Sequence, residues 1–238
     1  MPIDYTKRPA SPPPPEPPPG GYPPPSPGDA LPPPPAAGGL VSLTKAAPTV
    51  SLTKHGGNHG VMRVNLNWDA KPPAKGLFKK NTQLDLDLGC LYEFSDGTKG
   101  VVQALGNSFV ARSRSSRREL IRLDGDDRSG SNTAGENLSV DLEGLDEIRR
   151  ILIFALIYEG AANWADAKGV TTLMPVGAAP IQIQLDEPRD GARICAIALL
   201  TNEGGGLQIR REVNYINGAQ RALDEAYGWG MNWTAGRK

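Results

Sequence analysis

The sequence predicts an all-β fold: two packed antiparallel sheets forming a β-sandwich with one short C-terminal helix, preceded by a disordered proline-rich tail. Three observations carry this. Short segments alternate apolar and polar residues with the period of a strand, Gly-rich turns separate them, and only one late stretch has a helical pattern. Of the 23 prolines in 238 residues, 17 lie before residue 36. A segment such as Pro12 to Pro15 or Pro32 to Pro35 lacks amide donors and apolar side chains, so residues 1–39 are expected to sample extended polyproline II conformations without a core. Residues 40–238 remain for one folded domain, long enough for a sizeable core.

The elements follow in order. Val41-Ser42-Leu43-Thr44-Lys45 and Val50-Ser51-Leu52-Thr53-Lys54 form a half-repeat, each copy alternating like a short strand. Met62, Val64, Leu66 and Trp68 alternate with Arg63, Asn65 and Asn67, and Leu84, Leu86 and Leu88 repeat the period. Leu91 to Phe94 runs into Ser95-Asp96-Gly97-Thr98, a tight-turn signal that predicts an antiparallel return over Val101 to Leu105. Further strands are expected at Glu119 to Leu123, Leu138 to Leu142, and Ile181 to Leu185. Ile151 to Tyr158 and Ile194 to Leu200 are apolar on both faces, as central strands covered on each side would be, although a short buried helix has the same pattern. The turn at Glu203 to Gly206 joins the second of these to Leu207 through Tyr215. Ala219 to Tyr227 reads as the helix, with Asn217 as its N-cap.

Composition excludes several function classes. Lys and Arg number 26 and Asp and Glu 26, so no global field draws nucleic acid or an anionic membrane. Cys90 and Cys195 sit in apolar runs and read as buried thiols in a reducing compartment. Lys7 and Arg8 are followed by prolines instead of an apolar segment, and no apolar run approaches the roughly 18 residues of a membrane span, which predicts a cytoplasmic protein. No phosphate loop, dinucleotide fingerprint or nucleophile elbow is present, so an enzyme is not expected.

Two acidic groupings stand out. Asp85 and Asp87 occupy the non-leucine face of one strand, roughly 7 Å apart. The segment from Asp124 to Asn137 interleaves Asp126, Asp127, Glu136 and Asn137 with glycines. Such oxygen-rich, irregular loops suit calcium better than zinc, although the same composition makes ordinary surface turns and the spacing is not that of an EF-hand.

The ordered set of Val-Ser-Leu-Thr-Lys, Val64-Asn65-Leu66-Asn67-Trp68, Leu84-Asp85-Leu86-Asp87, Gly125-Asp126-Asp127-Arg128 and Gly135-Glu136-Asn137 resembles the TerD-domain family of tellurium-resistance and stress-response proteins, closest to its TerA-like branch. The resemblance spans about residues 40–230 and omits the tail. It implies a calcium-binding, non-catalytic β-sandwich acting with other Ter-type proteins against tellurite and other stresses. The family's paired strand aspartates fall on Asp85 and Asp87, and its Gly-Asp-Asn-Arg-like turn on Asp126 and Asp127. Its Gly-Asp-Asp-Glu-like turn is represented by Glu136 and Asn137 followed by Leu138, a departure that removes charge and weakens or abolishes one calcium position.

Other features have plainer readings. His55 and His59 lie in a Gly-Gly loop with too few companions for a closed zinc site. Arg112, Arg114, Arg117 and Arg118 read as a solvated run. Asn137-Leu138-Ser139 and Asn232-Trp233-Thr234 match a glycosylation pattern that means little without secretion. Tyr227, Trp229 and Trp233 are expected to close a core edge. Two rival functions stay open: a metal-independent protein whose proline-rich tail docks an aromatic groove of a partner, and a hydrolase using the acidic pairs.

Overall fold

In the computed structural model the described residues are 39–52, 57–69, 84–124, 135–159, 164–188 and 191–233, all within one compact unit, Pro35–Lys238. The proline-rich tail, His55, Asp126 and Asp127 lie outside them.

Thirteen strands form two sheets among these residues. The seven-stranded sheet has the order β1 (Val41–Ser42), β11 (Ile181–Leu185), β10 (Gly169–Met174), β3 (Val61–Asn67), β8 (Glu136–Asp141), β7 (Glu119–Leu123), β6 (Val110–Arg112). The six-stranded sheet has the order β2 (Thr49–Leu52), β13 (Gly206–Ile216), β12 (Ile194–Glu203), β9 (Ile148–Glu159), β4 (Asp85–Phe94), β5 (Lys99–Val102). Pairing is antiparallel throughout except for β1 beside β11, a parallel pair the alternation pattern does not reveal.

The alternation becomes burial directly. In β3, Met62, Val64 and Leu66 are fully buried while Val61, Arg63 and Asn67 are exposed. They meet Leu86, Leu88 and Cys90 of β4 and Ile151, Ile153 and Ala155 of β9 in the core between the sheets. The half-repeat closes one flank of the sandwich. Its first copy edges the seven-stranded sheet, its second edges the six-stranded one, and the matching Leu43 and Leu52 are both buried in the core. The Asp96-Gly97 turn forms as expected: Gly97 takes a φ of 82°, and Phe94 N donates to Thr98 O at 2.8 Å to begin the β4–β5 ladder.

A second apolar cluster explains the strands that read apolar on both faces. Leu91, Leu152, Phe154, Ile194 and Ala196 face away from the main core and are covered by Leu223 of α2 (Gln220–Tyr227) and by Trp229. The helix therefore adds a third layer on the outer face of the six-stranded sheet.

Several expectations need correction. The N-cap of α2 is Ala219, with no side-chain cap, because β13 continues to Ile216 opposite Ile194 and Asn217-Gly218 are used up in turning out of the strand. Helical turns also occur at Leu142–Glu147, a 3₁₀ segment that shortens the expected strand at its Leu142 end, and at α1 (Trp164–Ala167). β10 was not anticipated. Its inward residues are Gly169, Thr171 and Leu173, so only one large apolar side chain marks its core face. Both thiols are free and buried, and burial pushes each well above the ordinary cysteine range.

Candidate metal centre

The first half of β4 runs past the end of β5, whose register begins opposite Cys90. Phe94 N bonds to Thr98 O on the β5 side, so the even-numbered residues of β4 present their main-chain groups to that side. Leu88 is thus the first rung that β5 leaves open. The Glu136 carboxylate fills it: Oε2 accepts from Leu88 N at 2.5 Å. Glu136 reaches there because it shares the inward parity of Leu138 and Val140 on β8, in the opposite sheet, and it is only 8% exposed.

Asn137, the next residue, faces the other way. Its Oδ1 accepts from Arg63 Nε at 2.9 Å and from Asn65 Nδ2 at 2.9 Å on the outer face of the seven-stranded sheet. The two neighbours expected to act together are sent to opposite faces. On β4, Leu86 and Leu88 point into the core, which leaves Asp85 and Asp87 on the outer face of the six-stranded sheet; Asp87 is buried and Asp85 partly so.

The two ends of the acidic loop are held at this same place. Asp124 N donates to Asn137 O at 2.9 Å, joining the two ends of the loop, and Gly135 turns the chain with a φ of 71°. A Cβ at Gly135 would lie 2.1 Å from Leu66 O, so only glycine fits there. The structure therefore brings the start of β8 to β4 beside Asp87, while Asp126 and Asp127 lie outside the described residues.

The backbone register beside Asp85 is irregular in a way that the side-chain period does not reveal. Asp85 stands opposite Glu159, then the ladder shifts so that Leu86 faces Ile157 and Tyr158 is left as the extra residue of a bulge. Bulges commonly re-aim side chains beside functional sites. Glu159 merely ends an apolar run in the sequence, so nothing local marks it.

Chemically, Asp85, Asp87 and Glu136 supply hard oxygen donors without sulfur or imidazole, a set that fits calcium better than zinc. Among the described residues no group of three or more His, Cys, Asp or Glu is assembled closely enough to hold a metal alone. Closing a site would fall to the loop.

The other candidates take structural roles. His59 is exposed on its loop. Arg112 pairs with Glu119 and Arg118 with Asp141, both at 2.8 Å. The serines between these arginines converge on Glu147, whose carboxylate accepts from Ser113, from Ser115 at 2.7 Å and from Ser116 at 2.7 Å. These donors, Ser113 foremost, lower its pKa from 4.5 to about 2. A carboxyl depressed in the folded state stabilises the fold above its unfolded pKa and loses that contribution as pH falls through the folded one. Between about pH 5 and pH 2 the melting temperature of the parent is expected to fall more steeply than that of Glu147→Gln; parallel curves would remove the linkage.

Two sheets packed as an all-β sandwich, with the two ends of an acidic segment joined beside one strand edge, define the class of protein. No family model matches the chain. It is 41% identical over 202 residues to the tellurium resistance protein TerA of Alcaligenes sp., a match covering 83% of this chain and 58% of that protein. The chain thus spans a little over half the length of that relative. A solved homologue of telluride resistance protein (TerD) from Streptomyces coelicolor A3(2) is similar at 20% identity with a TM-score of 0.44, covering 67% of this chain and 92% of that one. Over the aligned stretch, the chain belongs to the TerD/Ter family of tellurium-resistance proteins.

Proposed function

We propose that this chain is a calcium-binding, non-catalytic scaffold or binding protein that serves tellurite resistance and general stress response in the cytoplasm alongside other Ter-type proteins. The name of the Alcaligenes relative supports the tellurite role. One observation carries the calcium reading: the end of the acidic loop is fastened to β4 through Glu136 and Leu88, next to the Asp85–Asp87 pair. Asp85 and Asp87 of the strand, with Asp126 and Asp127 of the loop, would hold the ion. Bound there, calcium would place positive charge among these carboxylates.

The non-catalytic part rests on how nucleophile-bearing residues are used. Ser113, Ser115 and Ser116 spend their hydroxyl protons on Glu147, and both thiols are buried and raised in pKa.

Thermal unfolding against a calcium titration tests the reading. Calcium at about 100 times its dissociation constant should add ~2.7 kcal/mol, which for a domain of this size raises the midpoint by about 5 to 10 °C. Magnesium, which demands tighter octahedral geometry, should not match it. An unmoved midpoint rejects calcium binding.

A further inference from the structure

Resting on the calcium reading, we infer that Glu136 is a positioning residue for the metal centre: its carboxylate serves as a cross-sheet tie to Leu88 instead of contributing its charge as an ion ligand. Oxygen composition alone groups Glu136 with the aspartates. The geometry separates them.

The tie has three parts. Glu136 is the first residue of β8 and follows directly on the loop and on Gly135, which is locked against Leu66 O. Its side chain crosses from the seven-stranded to the six-stranded sheet and completes the β4 ladder one rung beyond Cys90, where β5 has ended. Asp87 is the residue immediately before that rung and projects to the opposite face from the inward Leu88. Glu136 therefore acts on the edge of the sheet, while the Asp85–Asp87 pair acts on its outer face. What β4 requires from Glu136 is an acceptor oxygen at the right reach, and a neutral amide of the same length provides one as well as a carboxylate does.

This makes length and charge separable. Glu136→Gln keeps the reach and an acceptor oxygen but removes the charge; Glu136→Asp keeps the charge but draws the acceptor back by one methylene. The two measurements are hydrogen exchange at the Leu88 amide in calcium-free full-length protein, and calcium affinity by titration calorimetry with calcium chloride. Glu136→Gln should keep Leu88 protected and bind calcium within about tenfold of the parent, whereas Glu136→Asp should lose the protection and weaken calcium binding by more than about tenfold, the range usual for a lost supporting residue. The reverse order in calcium affinity, with the amide variant weaker than the aspartate variant, makes Glu136 a ligand and overturns the inference. Unchanged Leu88 protection in Glu136→Asp overturns it too. If the parent binds no calcium, the calcium reading fails by itself, and the exchange measurement still decides whether the tie exists.

Discussion

Replacing Trp229 by alanine is expected to destabilise the protein by about 3 to 5 kcal/mol, the range for deleting a fully buried large aromatic side chain. Trp229 is fully buried and sits at the centre of the second apolar cluster with Leu91, Leu152, Phe154 and Leu223. Its indole N–H donates to Tyr92 O at 3.0 Å, and the Arg150 guanidinium lies 3.9 Å from its ring centroid. Removing the ring takes the indole donor from the Tyr92 carbonyl and strips Arg150 of a stacking partner, so the loss exceeds the transfer of apolar area alone.

The backbone around Trp229 is fixed independently. Gly228 ends α2 with a φ of 60°, and Trp229 N donates to Asp224 O at 3.0 Å. The Asp224 carboxylate then accepts from Gly230 N at 2.8 Å, Met231 N at 2.9 Å and Trp233 Nε1 at 2.9 Å. The segment therefore has little freedom to collapse into the space the ring leaves. Urea unfolding measures the effect, and Trp229→Phe, which keeps most of the ring but loses the donor, should cost clearly less. Because the polar contacts of Trp229 run to Tyr92 and Arg150, the remaining folded protein should still respond to calcium. A loss under about 1 kcal/mol for the alanine variant would show that α2 is not part of the cooperative fold.

Gly135→Ala is the second large effect. A φ of 71° is costly for any residue with a Cβ, and here the Cβ would lie 2.1 Å from Leu66 O and 3.0 Å from its carbonyl carbon. Leu66 belongs to β3, which is paired on both sides, to β10 and to β8, so the carbonyl cannot yield without disturbing two ladders. The expected loss is about 3 kcal/mol or more, combining backbone strain with the clash. The same shift would displace Glu136, so the calcium-induced rise in melting temperature should shrink beyond what lower stability explains. Chemical denaturation with and without calcium measures both. Parent-like stability would mean that the chain relaxes locally and that Gly135 does not set the loop.

Much of the fold was legible because side-chain period records which face of a strand is buried. Met62, Val64 and Leu66 alternate in the sequence and are buried in the structure for the same reason. Ile151 to Tyr158 lost its period because β9 has a core on one face and the α2 layer on the other, a circumstance that the double-sided apolar run did signal. β10 escaped notice because its core face is built partly from Gly169 and Thr171, which carry no hydrophobic mark. Asn217 looked like a cap because its residue type suits one, but the length of β13 is set by pairing with β12, and that decided where the helix begins.

The sequence alone determined the strand-rich architecture, the Asp96-Gly97 hairpin, the buried thiols and the acidic composition of the strand and loop, since each depends on residues close together in the chain. Tertiary structure decided where the acidic residues are placed. Glu136 finds Leu88 across 48 positions of sequence, and Asp85 stands opposite Glu159 only because a bulge shifts the β4–β9 register. Pairing between distant strands is chosen by the packing of the whole core, so the side-chain pattern of either strand alone holds no record of it.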